Sequence, residues 1–387
     1  MEEFRNKIIC GDARDVLRQI PANSIDMCIT SPPYWALRQY DVEDVVWNDG
    51  WQGQLGLEPD FRDYIRHLKE IFSLVKRVIK KEGSIWVNIG DTYYTKSGGK
   101  FLNDQISNNE RTKEAGLDKA NELRQKGLLP PKCLVGIPER FAIMMTDELG
   151  LIRRNTIIWH KLNPIPSSAS DRFTIDFEYL YFFVKSRKYY FEQQFEPALR
   201  KIPAGKVVGG KKYIGISTSG TVFDDSRKTR NKRCVWSLSV QPYSEAHFAT
   251  FSPNLLEVPI KACCPQWICK KCGIPRMPIF KKIKLKETNI KYGGVKHVIS
   301  EWNNNPTYSG KKYVIYDHKV GYTNCGCNAG FDNGIVLDPF IGAGTTAVVA
   351  RKLGRNFIGI ELSRKYIEIA KRRLRREIGT EMISKYI

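Results

Sequence analysis

The tightest constraint in this sequence lies near its end. Gly334-Ile335-Val336-Leu337 reads as a short strand that runs into Asp338-Pro339-Phe340-Ile341 and then a Gly342-Ala343-Gly344 turn. Thr345 to Leu353 has the spacing of a helix. Asn356 to Ile360 reads as a second strand, ending in Glu361. Strand, glycine turn, helix and strand make a βαβ unit, whose strands must lie parallel. Gly342 and Gly344 permit a tight turn and a close approach of backbone to ligand, and Glu361 is placed to accept from ribose hydroxyls. Taken alone, the pattern also fits a dinucleotide site or an ordinary βαβ turn, but Asp338-Pro339-Phe340 is atypical of a nicotinamide site.

The start of the chain has the same grammar. Lys7 to Cys10 reads as a strand ending in Gly11-Asp12, and Ala13 to Gln19 as a helix. Ile25 to Ile29 is an apolar strand that delivers Thr30-Ser31-Pro32-Pro33-Tyr34-Trp35. Phe61 to Lys80 has apolar residues at helical spacing, with Gly83 as the stop and Ser84 to Ile89 as a strand. Helix Pro138 to Leu149 and strands Asn155 to His160 and Phe177 to Lys185 follow. Tyr94 to Leu128 reads as a polar surface loop, and Tyr189 to Ser239 as irregular. Alternation of strands and helices at both ends predicts an α/β fold on a parallel sheet.

The Ser31-Pro32-Pro33-Tyr34 turn follows a strand, which puts it at the ligand-bearing carboxyl edge. Two prolines fix two φ angles, so the carbonyls of Pro32 and Pro33 stay aimed. An exocyclic amine on a base needs such acceptors, because its lone pair is conjugated with the ring. Hydrogen bonds to its protons make the nitrogen more nucleophilic. Tyr34 offers a flat face to the base, with Trp35 as an assistant.

Net charge is +21, and its distribution says more than its size. Residues 186–240 hold 12 Lys/Arg against 4 Asp/Glu, and residues 261–320 hold 13 against 3. These two stretches carry 18 of the 21 excess positive charges, which points to a polyanion such as double-stranded DNA. A solubilising surface would not need that concentration. No apolar run is long enough for a membrane span, and the N-terminus lacks a signal core, so a cytoplasmic protein is expected.

Six of the ten cysteines fall between Cys263 and Cys327. Cys269-X-X-Cys272 and Cys325-X-Cys327 form two chelating pairs suited to a structural zinc ion, with Cys263 and Cys264 as alternative ligands. A disulfide framework explains the spacing less well.

Taken together, these blocks resemble the β-type DNA amino-methyltransferases, where the catalytic motif comes first and the cofactor motif last. Asp338-Pro339-Phe340 with the glycines looks like their S-adenosylmethionine loop. Gly11-Asp12 resembles the acidic position that contacts the cofactor adenine. Trp159-His160-Lys161, Asp171-Arg172-Phe173-Thr174 and Glu178-Tyr179 resemble the middle of such enzymes. His247-Phe248-Ala249-Thr250-Phe251 resembles the block that cradles the methionine end. The resemblance implies a Rossmann-like S-adenosylmethionine-dependent methyltransferase fold. Its mostly parallel sheet would have seven strands in circularly permuted motif order, with inserted DNA-recognition and zinc-ribbon-like modules. Expected divisions are 1–185 and 331–387 for the two halves of the catalytic domain, 186–240 for target recognition, 241–262 for cofactor cradling, and 263–330 for the cysteine module.

The resemblance also assigns roles. Ser31, Pro32, Pro33 and Tyr34 are catalytic; Asp12, His247, Asp338, Phe340, Gly342, Gly344, Thr345 and Glu361 bind cofactor. Serine in the first motif position goes with cytosine N4, whereas aspartate or asparagine usually goes with adenine N6. Adenine therefore stays as the alternative base. RNA or protein-glutamine methylation uses a similar turn but usually the opposite motif order. Carbon-5 methylation needs a cysteine, usually following a proline, and no such pair occurs. A companion restriction endonuclease is a partner that the resemblance allows.

Overall fold

The computed structural model describes residues 1–94, 128–197, 229–240, 252–285 and 314–379. Among these, eight strands form one sheet: β1 Lys7–Cys10, β2 Ile25–Thr30, β3 Ile79–Ile89, β4 Ile152–Lys161, β5 Phe177–Val184, β6 Val235–Leu238, β7 Ile335–Asp338 and β8 Asn356–Glu361. Their order is β1-β8-β7-β2-β3-β5-β4-β6. Seven strands point one way, and β5 alone runs antiparallel to both neighbours. Strands from the end of the chain thus lie between strands from its start.

The helices are α1 Ala13–Gln19, α2 Phe61–Val78, α3 Ile137–Asp147, α4 Pro253–Cys263, α5 Thr345–Lys352 and α6 Arg364–Ile378. Every residue of β2 is buried, as a central parallel strand covered on both faces requires. On β5, Tyr181 and Phe183 point into one apolar layer with Leu17, Tyr64, Phe72 and Phe141 from α1, α2 and α3. Leu180 and Phe182 point into the other, with Leu255, Ala347, Val348 and Leu374 from α4, α5 and α6. Helix α2 shows why the pattern folds: Asp60 caps it by accepting from the Arg62 N–H at 2.8 Å, and Tyr64, Leu68, Ile71, Phe72, Val75 and Val78 bury one face.

The described chain forms two units: Met1–Glu192 with Arg233–Arg276 and Cys325–Ile387, and Gln193–Lys232 with Met277–Asn324. The second contains an antiparallel hairpin, Pro278–Leu285 with Val314–Tyr322, and a short pair, Phe195–Pro197 with Thr229–Asn231. Phe195 and Phe280 meet edge to face inside it, with ring centroids 6.2 Å apart.

Several expectations need correction. The sheet has eight strands rather than seven, because Val235–Leu238 pairs in parallel with β4 at the edge. That strand belongs to the first unit and not to an insert spanning 186–240. The expected 263–330 module is likewise divided, its four chelating cysteines falling in the first unit and its hairpin in the second. Helix α2 ends at Val78, and Gly83 lies inside β3 near a register irregularity, so it does not act as the helix stop. Among the described residues, no helix is long and apolar enough to cross a membrane.

Candidate active site

The two sequence motifs meet through a side-chain bond. Thr30 closes β2 and Asp338 closes β7, neighbouring strands in the sheet. The Thr30 hydroxyl donates to Asp338 Oδ1 at 2.6 Å, across 308 positions of sequence. Asp338 Oδ2 accepts from the Thr346 hydroxyl at 2.6 Å, and Oδ1 also accepts from the Phe340 N–H at 3.0 Å. The carboxylate therefore ties the residue before Ser31 to the loop that carries Phe340. Burial raises its pKa to about 6, against the opposing hydrogen bonds. Among the described residues no lysine or arginine forms an ion pair with it.

A cavity of about 310 Å³ opens beside this bond, lined by Asp12, Ser31, Pro32, Pro33, Tyr34, Asp338, Phe340, Gly342, Thr345 and Glu361. That is the scale of a small-molecule site. Glu361 holds the turn: its Oε2 accepts from the Gly342 N–H at 2.9 Å, and its Oε1 from the Ser363 N–H at 2.9 Å. Burial raises the Glu361 pKa, with those N–H groups working against it. Asp12 caps α1 and is held by the Arg14 guanidinium at 2.7 Å.

Three assigned residues stand differently from their expected contacts. Gly344 is absent from the cavity wall; it has φ +80°, and a Cβ there would lie 2.9 Å from Ala370 Cβ, so glycine lets α6 pack against the turn. The Thr345 hydroxyl faces away to accept from Arg373 Nη1 at 2.8 Å. The Pro33 carbonyl already accepts from the Tyr64 hydroxyl at 2.7 Å. Trp35 is no open stacking surface: it is buried, donates to the Glu58 carbonyl, and stacks on Tyr94. His247 lies outside the described residues.

The structure joins the motif to further residues, of which Asn88 and Gly90 were not marked by the sequence. The Tyr34 hydroxyl donates to Glu178 Oε2 at 2.8 Å and lies 3.2 Å from Asn88 Oδ1. Ser31 Oγ lies 3.4 Å from the Tyr34 hydroxyl oxygen. Asn88 Nδ2 also donates to Glu178 Oε2 at 3.0 Å, and Lys161 pairs with Glu178 Oε1. Burial first, then the Glu178 charge, pushes the Tyr34 pKa up, so this phenol stays protonated. Gly90 gives the ring room, since a Cβ there would come within 2.6 Å of Tyr34 Cε2. The block around Glu178 was visible as a resemblance, whereas Asn88 and Gly90 carry no sequence signal.

One cavity wall comes from residues 37–55, including Leu37, Val42, Val45 and Trp47. Buried His67 anchors it, stacked between Trp47 and Trp51 at centroid distances of 4.1 and 5.3 Å. Its ring nitrogens lie 2.9 Å from Glu58 and 3.1 Å from Asp49. Burial opposes its charged form, but those two carboxylates outweigh it and raise the His67 pKa.

The family model for DNA methylases, covering N6 and N4 enzymes, matches residues 25–266 and 325–372. The chain belongs to the DNA methylase family. The methylase is 30% identical to type II methyltransferase M.Cfr9I of Citrobacter freundii, over 95% of this chain and 87% of that one. It is 29% identical to type II methyltransferase M.SmaI of Serratia marcescens, over 96% and 91%. In fold it is similar to the solved PvuII DNA methyltransferase, described as cytosine-N4-specific. The TM-score is 0.50 at 15% identity, covering 95% of this chain and 85% of that one. The methylase is thus an S-adenosylmethionine-dependent DNA methyltransferase of the N4/N6 class with a Rossmann-like fold.

Proposed function

We propose that this methylase modifies the N4 amine of cytosine in duplex DNA at a defined sequence, with the target base turned out of the stack. The supporting feature for cytosine is Ser31 in the first position of the Ser-Pro-Pro-Tyr motif. The observation that carries the reaction is the Thr30–Asp338 bond, which fixes the amine-side turn against the cofactor-side turn. Like its relatives it would act as a type II enzyme, with a cognate endonuclease as companion.

The cavity residues fit the cofactor by charge and shape. Glu361 would offer carboxylate oxygens to ribose hydroxyls, Asp12 would take the adenine end, and Phe340 would supply an apolar wall, all three lining the cavity. Asp338 is a buried carboxylate at the wall that lacks a basic partner among the described residues, which suits a cationic ligand. S-adenosylmethionine bound there supplies an electrophilic methyl group on a positive sulfur.

The chain's own residues prepare the amine. The Ser31 hydroxyl and the Pro32 carbonyl accept its N–H bonds, while Tyr64 keeps the Pro33 carbonyl fixed behind them. Positive charge grows on the amine nitrogen as it bonds to the methyl carbon, and aimed acceptors stabilise that charge. The nitrogen then sheds one proton to regain neutrality. Ser31, Tyr34 and Glu178 form a polar chain leading away from the motif, and Lys161 holds its far end. Tyr34 presents its ring to the base, and Glu178 fixes the hydroxyl so that the ring keeps its angle. A zinc ion at the cysteine cluster would be structural in this reading, because none of those thiols lines the cavity.

The test is to incubate the protein with cofactor and duplex DNA, digest the DNA to nucleosides, and identify the product by mass spectrometry. N4-methyldeoxycytidine is expected. N6-methyldeoxyadenosine alone would move the assignment to adenine.

A further inference from the structure

The four cysteines outside the cavity form a site of their own. Cys269, Cys272, Cys325 and Cys327 come from positions as far as 58 residues apart, yet their Sγ atoms all lie within 4.8 Å of one another. A tetrahedral zinc with Zn–S bonds of about 2.3 Å brings its sulfurs to about 3.8 Å from each other, so small side-chain adjustments complete the shell. Cys263 and Cys264 do not belong to the group: they end α4 and are buried.

The surrounding backbone turns tightly at the first pair. The Gly273 N–H returns to the Cys269 carbonyl at 2.9 Å, with Gly273 at φ +70°, so the chain folds tightly around the first pair. Cys269 is buried and Cys327 half-buried, whereas Cys272 and Cys325 are exposed.

Place in the chain gives the site its meaning. The family match breaks off at residue 266 and resumes at 325. One cysteine pair stands just before the segment 277–324 leaves the first unit, and the other stands where the chain re-enters it. Among the described residues of the first unit, a two-residue ladder, Ile268–Cys269 against Phe331–Asp332, also joins the two crossings, and the Pro278–Leu285 and Val314–Tyr322 strands pair just beyond them. Phe331–Asp332 leads directly into β7, and Asp332 pairs with Arg5 just ahead of β1. The cluster therefore lies at the amino end of the sheet, away from the cavity.

We propose that these four cysteines bind one zinc ion as a closed structural site that clamps together both crossings of the inserted segment. Closing the root of a long insertion costs chain entropy, and a metal joining its two ends removes that cost from folding. The proposal is independent of the base assigned above.

Metal analysis of the purified full-length protein tests it. About one zinc per chain is expected, falling below about 0.2 in Cys272→Ser and in Cys325→Ser but unchanged in Cys10→Ser. Cobalt substitution of the unaltered protein should give the charge-transfer absorption of a four-thiolate tetrahedral site, which keeps the test open even if the serine variants fail to fold. Stripping the metal should speed proteolytic cleavage within 277–324 about tenfold or more, while calorimetry shows cofactor affinity within about twofold. Zinc-free protein with four freely titrating thiols would overturn the proposal. So would iron in place of zinc, disulfides among the four cysteines, or loss of cofactor binding in step with the metal.

Discussion

Asp26 and Asp338 are two buried aspartates at opposite ends of neighbouring strands. Asp26 near the start of β2 accepts from the Ile335 N–H at 2.9 Å and pairs with Lys80 at 2.6 Å, stitching β2, β3 and β7 together at their amino ends. Asp338 at the end of β7 does the same work at the carboxyl ends with two hydroxyls and one N–H. One buried charge has a cation and the other has only neutral donors. The structural end of the sheet is charge-balanced, whereas the ligand end retains an uncompensated negative charge beside a cavity. On the proposed reading, that difference separates a residue serving the fold from one that faces a cationic ligand.

Removing the paired charge should cost most. Asp26→Ala leaves Lys80 and the Ile335 N–H without their partner, and thermal or denaturant unfolding should show a loss of about 3–5 kcal/mol. A loss below about 1 kcal/mol would show that the amino-end stitch is unimportant.

The unpaired charge should appear in the pH dependence. The Asp338 pKa rises from 3.8 to about 6 on folding, so the folded chain holds this proton more tightly. Its contribution is full below about pH 4, is lost as pH rises through about 6, and stays level above, a change of roughly 3 kcal/mol. Other buried acids act in the same direction, so the measurement is the stability difference between the native chain and Asp338→Asn from pH 4 to 8. A flat difference would refute the account.

Ligand selectivity sharpens the contrast further. At pH 8, Asp338→Asn should weaken S-adenosylmethionine binding about tenfold, or about 1.4 kcal/mol, by calorimetry. S-adenosylhomocysteine, whose sulfur is neutral, should lose less. Equal losses would mean that Asp338 shapes the loop without acting through its charge.

The smallest effect concerns the bond between motifs. Thr30→Val removes one donor to Asp338 and should cost about 1 kcal/mol in unfolding. It should also slow methyl transfer more than it weakens cofactor binding, because the amine-side turn loses its tie while the Glu361 contacts persist.

How far the sequence disclosed all this depends on what a residue's role is made of. Glycine and proline encode backbone directly, so both turns were legible, as were most strands that are long or flanked by clear stops. Strand β6 was not: four residues, Val-Trp-Ser-Leu, sit in a basic stretch and owe their strand state to pairing with β4. Gly83 looked like a helix stop, although the chain enters β3 before reaching it. Asn88 and Glu178 lie 90 positions apart, and their meeting exists only because β5 pairs with β3. Pro33 and Thr345 showed the opposite failure, because the motif was visible while the neighbours occupying their polar groups were not.

The reversed direction of β5 has a consequence for how such an enzyme can diversify. A forward strand brings only its last residues to the ligand edge, but a reversed one brings its first. Lys161, finishing β4, and Glu178, opening β5, therefore face each other across the base of one hairpin turn. The connection between the strands, residues 162–176, can be lengthened, shortened or rewritten while the ion pair stays anchored in the ladder below. The turn and the ion pair can then change on separate evolutionary schedules.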